Sequence, residues 1–124
     1  ASLATKRSKN PNYKQLLESV KFNLKALKEA NVKLAVGSDM YNDTSVGEVK
    51  FLKETGVFSN LDLLKMWSEN SPSTIFPKRK LGKLKDGYEA SFLVLEGNPL
   101  NDFSNTKKIN LYVKQGQILD QMTK

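Results

Sequence analysis

Val32-Lys33-Leu34-Ala35-Val36-Gly37-Ser38-Asp39 is an apolar run that stops abruptly at Gly-Ser-Asp. Val32, Leu34 and Val36 favour extended backbone, and Leu34-Ala35-Val36 reads as a strand buried on both faces. A helical pattern precedes the run and another follows it, which is the order of a parallel α/β unit. Such units place their chemistry at the carboxyl ends of strands. Asp39 stands there, close to a glycine that lets other groups approach the backbone. Ser and Asp after a strand also cap helices and shape turns, so position alone leaves both roles open.

Upstream, Asn10-Pro11 is a helix-start signal, because proline is tolerated in the first turn. Leu16, Leu17, Val20, Leu24 and Leu27 then recur at helical spacing through Ala30, with Glu18 placed to pair with Lys14 or Lys21. Asn31 is expected to end this helix. Downstream, residues 40–44 read as a loop. Ser45 and Glu48 have capping-box spacing, and Val46, Val49 and Leu52 form a buried stripe that Gly56 closes. Ser59 caps the next helix with Asp62 near its positive end, and Leu61, Leu64 and Trp67 share one face there. Helical spacing makes Trp67 core before ligand platform. Ser71-Pro72 starts one further turn, closed before Pro77. Leu24, Leu27, Leu34, Val36, Leu52, Leu64 and Trp67 are expected to form one core around the 32–36 strand.

The pattern changes at Leu81. Asp86-Gly87 signals a turn, Phe92-Leu93-Val94-Leu95 is an apolar strand, and Gly97-Asn98-Pro99 breaks it. Residues 101–108 read as a polar loop pinned by Phe103. Ile109, Leu111 and Val113 alternate with polar neighbours as a half-buried strand, and Gln115-Gly116 turns the chain into Gln117-Ile118-Leu119. These three strands are expected to form one small mixed or antiparallel sheet, apart from the 32–36 strand. Two regions follow, 1–80 and 81–124.

Composition narrows the chemistry. The chain has 124 residues, enough for one modest domain, and its hydrophobic fraction of 39% suits a soluble protein. No apolar run approaches the roughly 20 residues of a membrane span. Residues 1–9 are polar and basic, read as disordered, and lack the apolar core of a signal peptide. The compartment stays open: a soluble protein, cytoplasmic, or exported if a signal lies upstream. With no cysteine there is neither disulfide nor thiolate chemistry. The net charge is +7, but Arg7 and Arg79 are the only arginines. Scattered lysine is more often a solvated surface than a reader of nucleic acid. No nucleic-acid or membrane partner is expected. The chain also has no histidine, so it cannot by itself build a histidine metal site or a Ser-His-Asp triad.

In order and spacing these signals resemble one family. The run ending in Gly37-Ser38-Asp39 is similar to the last barrel strand of the metal-dependent amidohydrolase superfamily, nearest its imidazolonepropionase-like branch. Leu81-Gly82-Lys83-Leu84-Lys85-Asp86-Gly87-Tyr88-Glu89-Ala90, Phe92-Leu93-Val94-Leu95 and Asn98-Pro99-Leu100 resemble the segment that re-enters the family's small β-domain. Val113-Lys114-Gln115-Gly116-Gln117 resembles its closing hairpin. The resemblance implies an α/β chain: the C-terminal fragment of a (β/α)8 barrel, its last strand and helices, over 1–80, then strands of a composite β-domain over 81–124. It implies a parent that hydrolyses carbon–nitrogen bonds of an amide, cyclic amide or dipeptide with a divalent metal, zinc by preference. It gives Asp39 the roles of metal ligand and proton acceptor for the attacking water, with Ser38, Met40 and the 41–45 loop lining the mouth.

Two departures stand out. Ser91 replaces the family's aspartate after Ala90, at a position read as structural. The histidine-bearing strands are absent, as are the N-terminal strands of the small domain. The fragment is therefore expected to be inactive alone, to bind no metal tightly, and to self-associate through open strand edges. The rival reading is a free-standing basic interaction or nucleic-acid-binding module, which needs no active site.

Overall fold

Helix α1, Tyr13–Glu29, is held at its carboxyl end by a turn that the sequence announces. Asn31 adopts φ +53°, its N–H bonds Lys28 O, and the N–H of Val32 reaches back to Leu27 O, each at 3.0 Å. This is a Schellman closure with asparagine in the left-handed position. The computed structural model describes residues 11–39, 41–42 and 44–119. The readings made for residues 1–10, Met40, Asp43 and 120–124 lie outside the described residues.

Helix α1 buries none of its residues fully. Leu24 packs partly on the core, and Lys28 makes the polar attachment. The Lys28 ammonium donates to Asp62 Oδ2 at 2.9 Å and to Val57 O at 3.1 Å, and lies over the Phe58 ring. Leu27, expected in the core, is instead 38% exposed. The face carrying Leu24 and Lys28, one helical turn apart, meets the neighbouring segments and turns Leu27 outward. The expected Glu18–Lys21 pair is present at 3.2 Å.

Residues 32–39 form neither helix nor strand, and among the described residues no strand pairs with them. The reading of a strand buried on both faces is corrected here. Val36 is buried, Leu34 is half-buried, and Ala35 is exposed. A strand is buried on both faces only where neighbouring elements cover it.

Helix α2, Val46–Glu54, buries Val49 and Phe51. The Ser45–Glu48 capping box is also corrected. Ser45 has helical dihedrals and makes no side-chain cap bond; its hydroxyl accepts from Trp67 Nε1 at 2.7 Å instead. Gly56 ends the helix at φ +71°, as its position implies.

The capping box occurs one helix later. Ser59 Oγ accepts from the Asp62 N–H at 3.1 Å, and Asp62 Oδ2 accepts from the Ser59 N–H at 3.0 Å, opening α3, Asn60–Leu64. The helix then widens into a π-helical stretch, Lys65–Asn70, before α4, Ser71–Ile75. The Ser71 N–H bonds Met66 O, five residues back. Leu63 and Met66 are three residues apart, as in an α-helix, and the widened turn then brings Ser71 onto their face, all three being buried. Leu61, expected inward, is 48% exposed. Leu64 and Trp67 pack partly against the core of Val36, Val49, Phe58, Leu63, Met66 and Phe103.

The sheet follows its expected form. Strands β1, Phe92–Leu95, β2, Ile109–Lys114, and β3, Gln117–Leu119, are antiparallel in the order β1-β2-β3. Gln115 and Gly116 both have positive φ, +52° and +78°, the geometry of a tight two-residue hairpin. Phe103 opens a 3-10 helix, Phe103–Lys107, and inserts its ring into the core around Val36. Gly82, at φ +84°, lets residues 81–84 lie on the π-helical stretch, where a Cβ would meet Ser68 O at 2.1 Å. Lys83 pairs with Glu69 at 3.2 Å over the same contact.

Three stability outcomes follow from this packing. Leu63→Ala should lower the urea-unfolding free energy by about 2–5 kcal/mol, whereas Leu61→Ala should change it by less than about 0.5 kcal/mol. Equal effects would show that Leu63 is not the inward residue of α3.

Asp39 has φ +54°, so the second outcome concerns its backbone. Asp39→Gly should be more stable than Asp39→Ala by roughly 1 kcal/mol, since both lose the side chain and only alanine strains the left-handed backbone. Indistinguishable melting temperatures would place Asp39 elsewhere in φ.

The third concerns acid. The Lys28 ammonium, then the Ser59 N–H, holds the Asp62 carboxyl below its ordinary range. That contribution is complete above the unfolded value near about 4 and is lost as pH falls through the lowered folded value. The stability gap between wild type and Asp62→Asn should therefore hold above about pH 4 and shrink as pH falls below it, through the lowered folded value. A gap independent of pH would sink this assignment.

Candidate functional site

The carboxyl end of the 32–39 run is held by three side chains of the π-helical stretch and the helix after it. Asn70 Nδ2 donates to Leu34 O at 2.8 Å. Ser71 Oγ accepts from the Val36 N–H at 2.7 Å and lies 3.0 Å from Val36 O and 2.8 Å from Met66 O, between which its one proton is shared. Lys33 Nζ donates to Ser73 Oγ at 2.8 Å. Asn70 and Ser71 thus serve backbone groups that a neighbouring strand would serve in a sheet, and the Lys33–Ser73 bond joins two side chains.

Asp39 follows, exposed at the end of the run, with Ser38 half-buried before it. Aspartate tolerates the left-handed region better than most residues, because its short side chain bonds locally. Of the other residues expected at the mouth, Tyr41 stands fully in solvent. Ser45 is turned to Trp67, which ties the 41–45 loop to the π-helical stretch. Sequence reasoning missed Asn70 and Ser71. The only signal for Ser71 was Ser-Pro at a helix start, and that reads first as a cap.

Two clefts lie elsewhere. One of about 460 Å³, between α2 and the 3-10 helix, is lined by Lys50, Lys53, Trp67, Asp102 and Phe103 among others. Another of about 630 Å³, between the π-helical stretch and β1, is lined mainly by apolar groups including Leu81, Leu84, Phe92 and Leu95. Asp39 lines neither. Asp102 is held below the ordinary carboxyl range by the Ser104 hydroxyl and N–H, as the cap of the 3-10 helix.

Ser91 has a structural place. Its hydroxyl donates to Glu89 Oε1 at 2.6 Å and accepts from the Gln115 N–H at 3.0 Å, tying the hairpin turn to the start of β1. That hydroxyl, then Arg79, lowers the Glu89 carboxyl. Arg79 Nη2 donates to both carboxylate oxygens of Glu89, Oε1 at 2.9 and Oε2 at 2.7 Å, and the guanidinium lies over Phe76. The densest basic cluster, residues 78–80, thus gives its arginine to an internal pair.

Among the described residues no group of three His, Cys, Asp or Glu side chains could hold a metal ion. Asp39 offers one carboxylate, and the chain has no imidazole or thiolate to add. A catalytic zinc takes about three protein ligands. The donors of this chain alone do not fit one. No helix of the described residues is long and apolar enough to cross a membrane.

The sequence profile of the Amidohydrolase family matches residues 2–119. Ochratoxinase of Aspergillus niger is 33% identical over 95 residues, which cover 73% of this chain and 20% of that protein. The crystal structure of A. niger ochratoxinase superposes with a TM-score of 0.72 at 28% identity, over 86% of this chain and 26% of that one. A prolidase solved with N-methylphosphonate-L-proline shares the fold, with a TM-score of 0.66 at 23% identity, over 82% of this chain and 26% of its own. The chain spans about a fifth to a quarter of the length of these relatives. With the profile matched over nearly every residue and a relative 33% identical, the chain belongs to the amidohydrolase family.

Proposed function

We propose that this chain is the C-terminal part of a metal-dependent hydrolase that cleaves the carbon–nitrogen bond of an amide, cyclic amide or dipeptide. Residues 1–80 are read as the end of its barrel and 81–124 as strands of its small β-domain. The observation that carries the reading is Asp39: a carboxylate in the left-handed conformation at the end of a partly buried run. Backbone held in a sparsely populated region collects at functional sites, because surrounding structure must hold it there. The substrate class is supported by family membership and by the names of the relatives, an ochratoxinase and a prolidase.

In this reading Asp39 accepts the proton of the attacking water. An exposed carboxylate at the end of an apolar run suits that task, because water can reach it. The family generally uses divalent metals, and Asp39 supplies one oxygen ligand. The remaining donors, of imidazole type, come from protein outside these 124 residues. Zinc is the metal that such a mixed nitrogen and oxygen set favours.

The test is Asp39→Asn in the complete enzyme. Amide turnover should fall by about 10²–10⁴, the usual worth of a general base. Undiminished turnover would show that the proton acceptor is another residue.

A further inference from the structure

We propose that residues 75–85 form the face by which this protein rests on an anionic lipid surface, Ile75 and Phe76 entering the interface while Lys78, Lys80 and Lys85 meet the headgroups. The contact is peripheral, since no helix of the described residues is long and apolar enough to cross a bilayer. It is independent of the role of Asp39.

Lysines scattered over a surface give no reason to expect a membrane partner. The folded chain gathers several of them beside apolar groups. Helix α4 ends at Ile75, and a residue before proline is driven out of helical backbone, so Phe76 takes φ −122° and ψ 65°. Both side chains stay outside the core: Ile75 is 62% and Phe76 45% exposed. The turn that follows is closed by the Arg79 N–H on Phe76 O at 3.0 Å, and it sets exposed Lys78 and Lys80 next to them in the chain.

A second closure brings in Lys85. The Glu89 N–H bonds Lys80 O at 2.8 Å, and the Tyr88 N–H bonds Lys85 O at 2.9 Å, so residues 80–89 form a loop that returns on itself. A Cβ on Gly87 would lie 3.9 Å from the Lys80 ammonium, which therefore rests against the turn that carries Lys85.

Charge on this face is one-sided. Residues 75–85 hold five basic residues and no acidic one, and Asp86 follows next. Of the nearby glutamates, Glu69 is paired with Lys83 and Glu89 with Arg79. Lys78, Lys80 and Lys85 make no ion pair among the described residues.

The arginine decides between partners. Nucleic acids are gripped best by a free, planar guanidinium. Arg79 is held by Glu89 and lies 5.2 Å from the centre of the Phe76 ring, so it props that ring. What remains free is compact ammonium charge beside exposed aliphatic and aromatic groups. Anionic bilayers bind that combination: the apolar groups supply buried area and the lysines supply attraction to negative headgroups. A nucleic-acid backbone offers no apolar layer to Ile75 and Phe76.

The experiment uses the complete protein, sedimented with vesicles of equimolar phosphatidylcholine and phosphatidylserine. Vesicles of phosphatidylcholine alone and immobilised duplex DNA are the comparisons. The variants are Ile75→Ser, Phe76→Ser and the Lys78→Ala/Lys80→Ala pair. The Lys14→Ala/Lys25→Ala pair removes equal charge from exposed positions on α1 as a control. Melting temperature and amide turnover are measured for each.

The protein should bind the phosphatidylserine vesicles at least about tenfold more tightly than phosphatidylcholine alone, and release as salt is raised. A lysine near an anionic surface is worth about fivefold in affinity, so Lys78→Ala/Lys80→Ala should weaken binding by about 10- to 30-fold. Ile75→Ser and Phe76→Ser should each weaken it by about 5- to 20-fold. The α1 pair should change it by less than about twofold, and turnover should be unaffected throughout. Should Phe76→Ser melt early, Ile75→Ser and the lysine pair carry the test. Absence of binding to phosphatidylserine vesicles, or equal losses in the two lysine pairs, would overturn the proposal. Retention on duplex DNA without vesicle binding would overturn it in favour of a nucleic-acid partner.

Discussion

The hydroxyl of Ser71 at the backbone of Val36 is the contact on which the rest depends. A run outside helix and sheet carries an N–H and a C=O at each residue, and burying them without partners is strongly unfavourable. Among the described residues the run has no strand beside it. Asn70 and Ser71 take that place with side chains, and through them the run is joined to the helical segment that also buries Leu63 and Met66. The core around Val36 and the polar support of its backbone therefore come from one stretch of chain.

That stretch also receives the second half of the molecule. Gly82 lies against Ser68 O, Lys83 pairs with Glu69, and Phe103 inserts beside Val36. Asn60 Nδ2 donates to Leu100 O at 2.8 Å, adding a polar tie. The sheet is thus attached to the helices by one close backbone approach, one aromatic ring and a few polar bonds. Leu93 and Ile118 still face solvent. The chain spans about a fifth to a quarter of its relatives.

Much of the fold was legible in the sequence, and the failures have physical causes. The left-handed ends at Asn31 and Gly56, the Ser59 cap and the Gln115-Gly116 hairpin were readable because each rests on local chemistry. The three-stranded sheet followed from alternation and turn spacing. Leu61 was misplaced because periodicity shows that a helix has an apolar face but not which residue of it meets the core, and packing turns Leu63 of α3 inward and Leu61 outward. Ser45 was read as a cap because its spacing to Glu48 is right, yet the Trp67 indole claims the hydroxyl. Leu27 failed for a related reason: Lys28, bound to Asp62 and Val57, decides how α1 is turned.

The sequence by itself determined the α-helices and the three strands of the sheet, because each rests on local periodicity and turn chemistry, whereas the strand read at 32–36 has no partner strand among the described residues. It also marked Asp39 as the polar end of an apolar run, because strand-end carboxylates stand out against their neighbours. What only the tertiary structure decided is which long-range polar partners the chain finds. No local pattern says that Ser71, 35 residues away, holds Val36, or that Trp67 holds Ser45. Those bonds depend on one extra residue in a helical turn, and on how two distant segments meet once their apolar faces are buried.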